Sequence, residues 1–75
     1  MYILQYFIFD KSGDDILEAD AYTLDNETQV NDLAEELKTT FLNLKKTDKE
    51  WKDLGLVLTS NTENGKVLYN SREEN

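Results

Sequence analysis

Two groups of side chains in this 75-residue chain have types and spacings that bear on chemistry. The first is Asp10-Lys11-Ser12-Gly13-Asp14-Asp15, where oxygen ligands stand at alternate positions as in a calcium loop. The likeness stops there. The glycine occupies the fourth place instead of the sixth, no glutamate follows at the twelfth, and a strand pattern precedes the loop where a helix is required. A solvated hairpin turn, with Gly13 at positive φ, accounts for the same residues, and no metal is expected. The second group is Glu18, Asp20 and Tyr22. Alternate strand residues point one way at intervals of roughly 6.8 Å, twice the strand rise. The two acids thus begin a line of negative charge, sparser than the ~3.4 Å phosphate spacing along one DNA strand. Such a line either keeps an exposed strand soluble or docks on a basic groove, with charge steering the approach and rings supplying affinity.

Catalytic chemistry finds few of its usual parts. The chain has no histidine and no cysteine, hence neither the commonest general base, nor a thiolate nucleophile, nor the commonest zinc ligands. Its three glycines, Gly13, Gly55 and Gly65, make no phosphate cradle. Paired carboxylates alone need a cleft and a raised pKa to act as acid and base. The expectation is a protein without enzymatic activity and without a cofactor.

Sixteen acids against eight bases leave a formal charge of −8, and the charge is unevenly spread. Residues 1–36 hold ten acids and one base, Lys11; residues 37–75 hold six acids and seven bases. A field of that sign repels polyanions, so neither nucleic acid nor an anionic membrane is expected as a direct partner, whereas a cationic protein surface is. Residues 1–9 are apolar but lack a basic leader and a small-residue cleavage site, and nine residues are too few for a membrane span of roughly 20. They read as a strand, and the absence of cysteine fits a cytoplasmic setting.

The elements that position these side chains follow from period and punctuation. Val30, Leu33, Ala34, Leu37, Phe41 and Leu44 form one apolar stripe at helical spacing, predicting a helix over about 27–46. Asn26 caps it, Gln29 completes a capping-box pattern, and Lys45 and Lys46 suit the negative end of the helix dipole. Residues 2–9, apolar at both parities, read as a central strand. Along 16–24, Leu17, Ala19, Ala21 and Thr23 alternate with Ile16, Glu18, Asp20 and Tyr22. The small set is expected against the helix, and the acidic set on the outer face, because unpaired carboxylates are costly to bury. Either hairpin register brings aromatics beside the acids, Tyr2 with Tyr6 or Phe7 with Phe9. Thr47 and Glu50 suggest a second capping box for a short helical turn over about 48–54, ended by Gly55, with Trp51 as a lid on the core. Strands over 56–59 and 66–69 are joined across Glu63-Asn64-Gly65-Lys66, the Asn-Gly hairpin signal.

These elements predict an α+β fold, a ββαββ two-layer sandwich: a four-stranded antiparallel sheet with the main helix on one face. Residues 1–70 form a single domain in this reading, and 71–75 a frayed tail. Asp32, Glu35 and Glu36, on the outer side of the helix, fall opposite the acidic sheet face. An acidic footprint spanning both would then have to turn an edge through Asp25 and Glu27.

In size, charge and fold type the chain is similar to the small acidic inhibitors of phages and mobile elements, which occupy the basic clefts of nucleic-acid enzymes as nucleic-acid mimics. The resemblance carries no motif and transfers no residues. It implies a protein-protein interaction; the residues themselves then point to Glu18, Asp20 and Tyr22 for most of the binding, with Asp14 and Asp15 adding steering. Two alternatives share the architecture: a homodimer through the same sheet face, with aromatics as the interface and acids as its rim, and an antitoxin or immunity-type protein.

Overall fold

The apolar stripe is a helix, and it lies on a sheet. The computed structural model describes residues 1–61 and 65–72. Its elements are β1 (Tyr2–Phe9), β2 (Ile16–Leu24), α1 (Glu27–Thr47), β3 (Gly55–Ser60) and β4 (Lys66–Asn70). The sheet is antiparallel with order β2-β1-β3-β4. β1, apolar at both parities, is therefore central, as its composition predicts. Glu63 and Asn64 of the expected hairpin signal lie outside the described residues; Gly65 has φ +90°, which suits a turn leading into β4.

Val30, Ala34 and Phe41 of α1 pack with Leu4 and Ile8 of β1, Leu56 and Leu58 of β3 and Tyr69 of β4. Leu4 and Leu58 are fully buried. Leu33, Leu37 and Leu42 are half-buried around them, so Leu42, though off the centre of the stripe, still packs on the core. Among the described residues no helix is long and apolar enough to cross a membrane.

At the start of α1, Asn26 is extended (φ −150°, ψ 169°) and its side chain accepts from the Gln29 amide at 2.9 Å. The return bond differs from a standard capping box: Gln29 Oε1 accepts from Asp25, one residue earlier, also at 2.9 Å. At the far end the second capping box does not form. Thr47 is still helical and donates to the Asn43 carbonyl (3.0 Å), while Asp48 accepts from the Glu50 amide (2.9 Å). Residues 48–54 make successive hydrogen-bonded turns, Trp51 to Asp48 and Leu54 to Trp51. Lys45 holds them by donating to the Leu54 carbonyl at 3.0 Å. Gly55 does not stop a helix; it is the buried first residue of β3, with no left-handed φ.

The pairing of β1 with β2 overturns the expected facing of the first hairpin. Leu4, Tyr6 and Ile8 stand opposite Tyr22, Asp20 and Glu18, so the acidic set shares the helix side of the sheet. Ala19, Ala21 and Thr23 stand opposite Phe7, Gln5 and Ile3 on the open side. A bulge between Ile8 and Phe9 leaves Leu17 unpaired, beside Glu18, and puts Ile16 opposite Phe9. The acids still avoid burial, because β2 is exposed along its whole length save Leu24. One rod about 10 Å across spans roughly two strands spaced about 4.8 Å apart. It covers the middle of the sheet and leaves β2 overhanging.

The β1–β2 connection is organised by Asp10, whose Oδ1 accepts from the Ser12 hydroxyl and the Gly13 amide, both at 2.8 Å, and from the Asp15 amide at 3.4 Å. The Ser12 bond first, then the amides, hold its carboxyl below the ordinary 3.8. Gly13 supplies φ +80°. At the chain's other end, Ser71 and Arg72, assigned by sequence to the frayed tail, are tied down instead. Ser71 exchanges bonds with Leu56 (3.0 and 2.9 Å), and the Arg72 guanidinium lies over Gly13 and the Phe9 ring.

Asn26→Ala is expected to lower stability by about 1 kcal/mol, read as a lower urea midpoint with unchanged slope, and Asn26→Asp to restore most of it. An unchanged midpoint for Asn26→Ala would contradict the cap.

Candidate binding groove

Tyr6 is the centre of the site. It faces Asp20 directly across the ladder, and its ring and hydroxyl reach the two neighbours on either side. Its hydroxyl donates to Glu18 Oε2 at 2.8 Å. Its ring stacks on Tyr22 with centroids 6.2 Å apart and planes 28° from parallel. Asp20 instead accepts from the Ala21 amide at 2.8 Å, satisfying a backbone donor on an edge strand. That charge at the edge opposes addition of a further strand.

Between this overhang and the helix runs an open groove of about 190 Å³. Its floor is apolar, formed by Ile8, Phe41, Leu44 and Leu56; its walls carry Tyr22 and Glu18 on one side and Thr40 and Trp51 on the other. Trp51 is half-buried and meets Phe41 edge-on (6.2 Å, 74°), so it is the lid that its position suggests and also a groove wall. The groove continues past Ile8 and Trp51 to a second hollow bounded by Leu17, Glu50 and Leu54. Beyond the other end of β2, Thr23, Leu24 and Asp25 form a hollow with Asp32 and Glu36 of the helix.

Of the helix acids predicted to lie opposite the acidic sheet face, Asp32 and Glu36 are therefore on the same side as Glu18 and Asp20. Glu18 borders the groove and, with Glu50, the hollow at one end, while Asp25, Asp32 and Glu36 border a separate hollow beyond the other end of β2. Asp14 and Asp15 stand apart: both are exposed in the hairpin turn and neither lines the groove. Tyr6, Glu50 and Trp51 are the groove residues that sequence reasoning did not single out as partner contacts. The signal for Tyr6 was its parity in a strand whose pairing was open; for Glu50 and Trp51 there was none, since they arrive through the turns after α1. Among the described residues no group of three metal-ligating side chains converges, and the Asp10 carboxylate is already engaged by its own loop.

Because Tyr6 donates to a carboxylate, its neutral form is favoured. The Glu18 bond chiefly, then burial and the charges of Glu18, Tyr22 and Asp20, push its pKa from 10.0 to about 12. A raised value in the fold means that this pair's contribution to stability is complete below pH 10 and disappears as pH rises through about 12.

Comparisons with protein-family models, with curated proteins and with solved structures return no match.

Tyr6 is thus expected to ionise late in an alkaline absorbance titration. Tyr6→Phe should delete that step and Glu18→Gln should move it back toward the ordinary value. Four tyrosines titrating together near 10 would contradict the bond.

Proposed function

We propose that this chain is a non-enzymatic protein-binding module that inserts its acidic, aromatic overhang into a basic surface of a partner protein, acting as an inhibitor of a nucleic-acid-processing enzyme. The observation that carries this reading is the convergence of Glu18, Asp20, Tyr22 and Tyr6 on one exposed surface beside an open, ring-walled groove. A side chain seated there has apolar floor for an aliphatic stem, aromatic faces for a planar or ammonium cation, and a carboxylate at hand. An arginine or lysine has all three complements. At an exposed site the cation–ring contact contributes about 0.5–1 kcal/mol, so affinity comes from several such contacts and from steering by the acid-rich first half of the chain.

Charge and shape divide the work. The acids along β2 and the helix flank repel nucleic acid and anionic membranes, and they favour the surfaces that bind nucleic acid. The spacing of Glu18 and Asp20 is looser than that of phosphates, which suits a mimic that contacts side chains in a cleft more than one that copies a duplex. Asp14 and Asp15, at the hairpin tip, contribute to the field without entering the groove. The absence of histidine and cysteine, together with a Tyr6–Glu18 pair held in its unreactive neutral-donor form, favours binding over chemistry.

The chain has a single tryptophan, in the groove wall, which makes its fluorescence a reporter. Titration with an arginine-rich peptide at low salt should change Trp51 emission, and the change should weaken steeply as salt shortens the Debye length from about 10 Å at 0.1 M. The double variant Glu18→Lys with Asp20→Lys should abolish it while far-UV circular dichroism stays that of the folded protein, the urea midpoint falling only by the loss of the Tyr6–Glu18 bond. Undiminished binding by the charge-reversed protein would rule the reading out.

A further inference from the structure

The groove is richer in rings than the docking of an ordinary basic side chain requires. Tyr6, Tyr22, Phe41 and Trp51 all border the hollow of about 190 Å³, with Glu18 as the carboxylate among them. That volume lies below the roughly 300–1,000 Å³ of a pocket for a drug-sized ligand, so the hollow takes the head of one side chain. Tyr6 and Tyr22, stacked at 6.2 Å, act as one wall. Trp51 stands on the other, braced edge-on by Phe41. The Phe41 ring already has a cation: the Lys45 ammonium lies 5.4 Å from its centroid and is tied to the Leu54 carbonyl. Tyr6, Tyr22 and Trp51 are the rings that remain for a ligand.

Hydrogen-bond acceptors are scarce by comparison. The Tyr6 hydroxyl donates to Glu18 Oε2 at 2.8 Å, so part of the carboxylate's capacity is used within the chain. The other side-chain oxygens bordering the hollow are the hydroxyls of Tyr6, Tyr22 and Thr40. A guanidinium or a primary ammonium carries several strongly hydrated N–H groups, and each one brought in without an acceptor costs free energy. A quaternary ammonium has the same charge and no N–H. Its methyl groups meet ring faces and the apolar floor, while the rings and Glu18 both attract its charge.

We infer that this hollow is an aromatic cage for an N-methylated lysine side chain presented by the partner protein. The inference rests on the proposed docking of a basic protein surface and adds the chemical identity of one side chain on it. Charge complementarity gives the occupant its sign, with Glu18 in the hollow and Glu50 beside the adjoining one. The open end gives its source. Past Ile8 and Trp51 the groove continues between Leu17 and Leu54, an apolar exit for an aliphatic stem and the chain that carries it. A free small cation needs no such exit.

The test is a titration of the full chain, read by Trp51 emission, with one basic peptide in three forms. Its central lysine is unmodified, trimethylated, or replaced by a neutral tert-butyl isostere; choline serves as the free quaternary ammonium. Trimethylation should tighten binding at least fivefold, by the same factor at low and high salt because the charge is unchanged. The neutral isostere should lose that gain. Tyr22→Ala, at a position 37% exposed, should bring the ratio of trimethylated to unmodified affinity close to one with unchanged circular dichroism. Tyr22→Phe should keep the ratio, since a phenyl face also attracts a cation. Equal or weaker binding of the trimethylated peptide overturns the inference and leaves the docking of a basic surface in place. So does an isostere that binds as tightly, or choline that binds more tightly than the trimethylated peptide. Absence of binding by every peptide overturns the inference together with the docking it rests on.

Discussion

The register of the first hairpin is the constraint on which everything functional here depends. Strand side chains alternate, so a slip of one residue would exchange the two faces of β2 completely. Glu18 and Asp20 would then stand among Phe7 and Phe9, and Tyr6 would lose both its carboxylate acceptor and its stacking partner. Two devices at one end of the hairpin hold the register in place. Asp10 gathers the loop with its side chain while its amide bonds to the Asp15 carbonyl at 3.0 Å, and the bulge absorbs Leu17. Along the ladder, the Tyr6–Glu18 bond and the Tyr6–Tyr22 stack bind the same pairing from its side chains. The residues that compose the site also keep the strand in the position that creates it.

Much of the architecture was legible because its signals are local. The stripe from Val30 to Leu44 specifies a helix without help, the Asn26–Gln29 cap starts it, and double-sided apolarity puts β1 in the middle of the sheet. The facing of β2 was not legible, for a reason that can be named. The rule that unpaired acids avoid the helix side assumes that the helix covers every strand. A single helix is too narrow to cover four, so an edge strand can present carboxylates on the helix side and still leave them in water. The bulge was equally hidden, since Leu17 has the composition of an ordinary strand residue. The groove's far wall depends on turns after α1 whose geometry is set by the Lys45–Leu54 bond, a tertiary contact with no sequence signature.

What emerges is a molecule with two sides of opposite character. On the helix side, acids from β2, the helix flank and the turns around Glu50 border neighbouring hollows; on the open side the strand positions are apolar or neutral, with the Arg72 guanidinium over the Phe9 ring and Lys66 at the hollow beside Ile3 and Val67. Both acids of the described strands stand on the helix side, the side on which we propose that a cationic partner docks.

The most direct test of this account is a carbon-edited nuclear Overhauser measurement between the side chains of β1 and β2. The account predicts contacts between the Tyr6 and Tyr22 rings and between the Phe7 ring and the Ala19 methyl group. Contacts from Tyr6 to the methyl groups of Ala19 or Ala21 would mean the other register and would contradict it.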